Sequence, residues 1–106
     1  MIDATIRITV PPEKRKEVLQ TFKAIIAPIR REHGCISCNC YVDIETENNL
    51  LLVNEWESSE DLNTHLRSVN FGVLIGAMDM LVKKPDFRFD TIASTAGAEA
   101  IKAVRG

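Results

Sequence analysis

Residues 2 to 10 alternate without a break: Ile2, Ala4, Ile6, Ile8 and Val10 fall on one side, and Asp3, Thr5, Arg7 and Thr9 on the other. A period of two marks a strand with one buried face. Pro11 and Pro12 stop that strand, and the period then changes. Val18, Leu19, Phe22, Ile25, Ile26 and Ile29 recur at helical spacing up to Gly34, which predicts a long amphipathic helix whose start suits Pro12. Pro28 removes a hydrogen bond to residue 24 and is expected to distort the last turns.

Gly34 suits the left-handed residue that follows a helix, and Cys35 to Asp43 alternates again, with Ile36, Cys38, Cys40 and Val42 on one side. The polar run Glu45 to Asn49 predicts a hairpin into a third strand, Leu50 to Glu57. Ser58 or Ser59, followed by Glu60 and Asp61, supplies the cap and acidic first turn of a second helix. That helix is expected to break near Ser68 to Asn70 and resume with Phe71, Leu74, Ile75, Met78, Leu81 and Val82 as its apolar stripe. Phe87 and Phe89 mark a fourth strand. The order βαββαβ predicts an α+β, ferredoxin-like sandwich on an antiparallel sheet over residues 1–93. Residues 94–106 are Ala-rich, with Ile101 and Val104 spaced for one helical face, and read as a helical or partner-docking tail.

With 106 residues the chain is the size of one domain, small enough that a homodimer would help both core and site. Thirteen Lys and Arg against fifteen Asp and Glu, without a basic run, leave no electrostatic footprint for nucleic acid. No apolar run approaches the roughly 20 residues of a membrane span, and no secretory leader is evident, so no membrane association and a cytoplasmic location are expected. The three cysteines, Cys35, Cys38 and Cys40, are clustered and odd in number, which favours reduced thiols over a disulfide framework.

The junction between the third strand and second helix carries the only tryptophan and one of the two histidines, so it is the place to look for chemistry. His65 borders the apolar stripe of its helix and is a candidate to move a proton near neutral pH. Trp56 shares a strand face with Leu52 and Asn54, and its N–H is a candidate substrate contact. The plainer readings are a core tryptophan and a histidine satisfied by backbone or water. Cys38 and Cys40 share a face while Cys35 is expected on the other, so one mononuclear metal site would need a bulge. Small buried hydrophobes are the simpler expectation for these cysteines, a reactive pocket thiol the rarer one, and no metal is expected.

Ile6-Arg7, Glu32-His33-Gly34-Cys35, Asn54-Glu55-Trp56-Glu57-Ser58 and His65-Leu66, in this element order, resemble the antibiotic biosynthesis monooxygenase superfamily over roughly positions 2 to 92. The resemblance implies a dimeric α+β barrel in which two sheets meet, with a pocket between each sheet and its own helices. Even-numbered strand faces would then line the pocket and odd-numbered faces the partner. Arg7 and Glu55 are expected at that dimer interface, either paired with each other or as separate, partly solvated charges. Asn70 stands where many relatives have a second histidine and cannot act as a base, though it can orient an oxygen. The positions of a haem-degrading Asn, Trp and His set hold Ile6, His65 and Ile75, so haem breakdown is not expected. Where quinol-oxidising relatives often place a tyrosine and an asparagine, Cys40 and Leu52 stand.

The resemblance implies a cofactor-independent monooxygenase acting with molecular oxygen on a small quinol, phenol or enol. His65 and Trp56 would be catalytic, and Asn54, Asn70, Cys38, Cys40 and Phe71 would contact substrate. No flavin or haem motif is visible, so no cofactor is expected. Two alternatives stand beside it: an isomerase or lyase for a small phosphorylated keto metabolite, and a non-catalytic ligand-binding dimer.

Overall fold

The alternating segments become strands, and the segments of helical period cover one face of their sheet. In the computed structural model, which describes residues 1–106, the order is β1 (Ile2–Thr9), α1 (Arg15–Arg30), β2 (Cys35–Val42), β3 (Asn49–Trp56), α2 (Ser59–Leu66), α3 (Val69–Met78), β4 (Asp86–Thr91) and α4 (Ala98–Arg105). A single 3-10 turn, Pro12–Lys14, leads into α1. The strands form one antiparallel sheet in the order β2-β3-β1-β4, the ferredoxin-like arrangement.

The even-numbered face is the core face. Ala4, Ile6 and Ile8 of β1 and Leu50, Leu52 and Trp56 of β3 are buried together with Val18, Phe22, Ile25 and Ile29 of α1. Each such large apolar side chain contributes about 1.5–3 kcal/mol by leaving water. Pro28 is accommodated inside α1, which stops at Arg30, short of Gly34. Gly34 has φ +80°, and a Cβ there would collide with the Asp61 side chain, so both conformation and space demand glycine.

Three expectations need correction. Arg7 and Glu55 share the odd face but do not pair: Arg7 lies opposite Leu51 and Asp86, while Glu55 lies opposite Asp3. That is an offset of roughly 13 Å along the strands. Glu55 instead accepts a 2.7 Å hydrogen bond from the Ser37 hydroxyl. The second correction concerns Cys35. A bulge between Cys35 and Ser37 makes Ile36 the extra residue, so Cys35 sits opposite Trp56 on the core face with Cys38 and Cys40. Ile36 is correspondingly 49% exposed. Third, α3 ends at Met78, so Val82 lies beyond the helix and is exposed, while within the helix Leu74, Ala77 and Met78 form the buried stripe and Ile75 falls outside it.

The tail is helical as α4, with no buried residue. No helix is long and apolar enough to cross a membrane.

Candidate functional site

β3 carries Asn54 and Trp56 onto the core face, and the chain then turns into α2. Ser58 fixes that turn: its hydroxyl accepts from the Asp61 backbone N–H at 3.1 Å, capping the helix. Within α2, His65 comes to lie over Trp56, with ring centroids 4.5 Å apart and planes inclined by 26°. Ser68 caps α3 in the same way, accepting from Phe71 N–H at 3.1 Å, and this brings the Phe71 ring edge-on to His65 at 5.3 Å. His65 is 2% exposed and Trp56 fully buried.

Polar contacts hold this aromatic stack. The Trp56 indole N–H donates to Asn54 Oδ1 at 2.7 Å. His65 Nδ1 lies 3.0 Å from both carboxylate oxygens of Glu32, and Asn70 Nδ2 donates to Glu32 Oε2 at 3.1 Å. One carboxylate from the turn after α1 thus ties α2 to α3. In the sequence Glu32 stands within Glu32-His33-Gly34-Cys35, and nothing local marks it as a partner of His65. The available signal was an acidic residue just ahead of a positive-φ glycine at a helix-to-strand turn.

His65 Nε2 has no protein hydrogen-bond partner. The ring borders a narrow cleft lined by Ala4, Ile6, Asn54, His65, Leu66, Phe71, Phe87 and Phe89, with a free volume of about 10 Å³, room for one water. Phe87 and Phe89, on edge strand β4, are 39% and 48% exposed and form its outer wall. With its carbonyl on the indole, Asn54 has its amide N–H groups left to offer the cleft.

The structure therefore brings His65, Asn54 and Phe71 to one cleft, and Trp56 and Asn70 behind them. Trp56 does not line the cleft and its N–H is already bonded, which corrects the expectation that the indole holds substrate directly. Asn70 likewise spends its amide on Glu32. Cys38 and Cys40 do not reach the cleft either. Cys38 is fully buried and its thiol is pushed up to about 12 by burial; Cys40 is also raised by burial. Cys35 is raised by burial and by Glu32. No group of three His, Cys, Asp or Glu side chains is placed to hold a metal ion.

A larger hollow of about 440 Å³ opens on the odd-numbered sheet face, where Arg7, Thr9, Tyr41 and Leu51 meet Lys83 and Lys84.

Comparison with known proteins bears on the fold and the family. The family model for antibiotic biosynthesis monooxygenase matches residues 1–75, a stretch that includes Glu32, Asn54, Trp56, His65 and Phe71. An uncharacterized protein of Synechocystis is 30% identical over 89 residues, 83% of this chain; the chain spans 60% of that protein's length. Among solved structures, a conserved protein from Methanosarcina mazei is 27% identical with a TM-score of 0.79, over 84% of this chain and 89% of that one. A Deinococcus radiodurans protein superposes with a TM-score of 0.85 at 17% identity, covering 92% and 97% of the two chains. A crystal structure of an antibiotic biosynthesis monooxygenase gives a TM-score of 0.81 at 16% identity, covering 89% and 100%. By the match over residues 1–75, the chain belongs to the antibiotic biosynthesis monooxygenase family.

Proposed function

We propose that the protein is a cofactor-independent monooxygenase that oxidises a small phenol, quinol or enol with molecular oxygen, using His65 as the base. One observation carries this reading: a 2%-exposed histidine whose Nδ1 is taken by Glu32 and whose other nitrogen is left to an aromatic-walled cleft. Deprotonating a phenol makes it electron-rich enough to reduce O2 directly, so the protein need only bind it, take its proton and exclude water. The atoms balance without an external reductant. A phenol plus O2 gives a quinone plus water; one oxygen atom enters the ring and the other leaves with two substrate hydrogens, the substrate supplying all four electrons.

Asn54 offers amide N–H groups to a substrate oxygen, and Phe71 packs against its ring. Trp56 supports His65 from beneath. The cleft is too narrow for substrate as it stands, so entry requires the half-exposed rings of Phe87 and Phe89 to swing outward. No Lys or Arg lines this cleft, so nothing in it supports a phosphorylated substrate.

The same proposal includes a homodimer formed through the odd-numbered face. Leu51 and Val53 are only partly covered there, Tyr41 is 54% exposed, and Asp3 has a carboxylate oxygen without a hydrogen-bond partner. Such a face fits a second copy.

Oxygen-electrode measurements on a panel of phenols and quinols test the activity. The expected result is O2 uptake that His65→Ala abolishes; turnover under anaerobic conditions, or binding without turnover, would reject the oxidative reading.

A further inference from the structure

We infer that Glu32 is the positioning residue of this site: its carboxylate fixes the His65 proton on Nδ1 and thereby makes Nε2 the atom that accepts the substrate's proton. The inference rests on the assignment of His65 as the base. Its observations are independent of any substrate.

A carboxylate offers only acceptors, so with both oxygens 3.0 Å from Nδ1, that nitrogen must be the donor. A neutral imidazole has one N–H, so Nε2 is left with its lone pair. The ring cannot readily exchange its two nitrogens, because Trp56 lies flat against it at 4.5 Å and Phe71 abuts it edge-on at 5.3 Å. The carboxylate is itself held. Asn70 donates to Oε2, and the turn that carries Glu32 is closed by Cys35 N–H to Glu32 O at 3.2 Å and joined to the end of β3 by Glu57 N–H to Gly34 O at 2.9 Å.

The arrangement has a purpose that packing alone does not supply. Setting a carboxylate against a buried imidazole is a poor way to gain stability, since apolar side chains of similar volume pack as well without desolvating charge. During proton transfer it matters. Once Nε2 has taken a proton, the new positive charge lies against Glu32 and not against hydrocarbon alone. The other groups around the ring, Trp56, Asn54, Phe71 and the β4 phenylalanines, are uncharged, so Glu32 is the ionisable side chain that does this.

The test is side-chain ¹H–¹⁵N NMR of the full chain, beside steady-state kinetics, for wild type, Glu32→Ala and Glu32→Gln. Neutral wild-type His65 is expected to show a protonated Nδ1 and a bare Nε2, and Glu32→Ala to shift the proton toward Nε2. Both variants are expected to lower kcat roughly tenfold or more with little change in KM, as when a histidine-orienting carboxylate is lost. A wild-type ring already protonated at Nε2, or a Glu32→Ala ring with unchanged nitrogens, would overturn the inference, as would an effect on KM alone. If the wild type shows the expected nitrogens but oxidises no phenol, the positioning role stands and the oxygenase reading fails.

Discussion

Trp56 and His65 lie face to face, 4.5 Å between centroids, one at the end of β3 and the other in the helix that follows. The stack does two things at once: it fills the deepest part of the core and sets the plane of the imidazole. Trp56→Phe would shrink the supporting surface and leave Asn54 Oδ1 without its indole donor. The expected cost is about 2 kcal/mol in urea denaturation. Any catalytic loss should appear mainly in kcat, because the indole lies behind the histidine and not against substrate.

Outside the cleft, His33 Nδ1 and Asp61 Oδ1 are 2.9 Å apart, and the Ser58 hydroxyl donates to Asp61 Oδ2 at 2.9 Å. The hydrogen bond and charge of Asp61 raise His33 above its ordinary 6.5, while the hydrogen bonds from His33 and Ser58 lower Asp61 below its ordinary 3.8. A raised histidine contributes fully below its unfolded value and loses that contribution as pH rises through the folded one. A lowered aspartate contributes above its unfolded value and loses its share as pH falls through the folded one. Their common window is therefore roughly pH 4 to 6.5. His33→Ala should lower the urea midpoint more at about pH 5.5 than at about pH 8.5; an equal deficit at both would contradict the pairing.

The thiols give a third check. With Cys38 pushed up to about 12 by burial, its thiolate is scarce near neutrality. Iodoacetamide treatment of the native protein followed by peptide mass spectrometry should leave Cys38 unmodified, with Cys35 and Cys40 modified slowly, and all three should react in urea. Rapid labelling of native Cys38 would mean that the core opens far more than its burial implies.

If the odd-numbered face meets a second copy, a charge at its centre should prevent the meeting without touching the core. Val53 is such a position, between Thr5 and Asn39 in the sheet. Wild type should sediment as a dimer, and Val53→Asp as a folded monomer with unchanged far-UV circular dichroism. A wild-type monomer at all concentrations would remove the dimer from the proposal.

Much of the architecture could be read from local patterns. The alternation of Ile2 to Val10, the serine before α2 and the glycine before β2 each announce their element through a constraint felt within a few residues. The strand offset was less accessible. Parity places Arg7 and Glu55 on one face, but their separation depends on how β1 and β3 slide past one another, which neither strand's alternation encodes. Glu32 was hidden for a related reason: its meaning lies in residues 65 and 70, brought to it only when α1, α2 and α3 have packed.

Ile36 shows how a chain can carry an insertion without disturbing that meeting. As the spare residue of β2 it stands off the ladder, and its neighbours Cys35 and Ser37 already face consecutive partners, Trp56 and Glu55. Deleting it should restore a plain ladder and leave Glu32 against His65, so the imidazole nitrogens should keep their signature. What such a deletion should remove is the local bend and added twist that a bulge gives its strand.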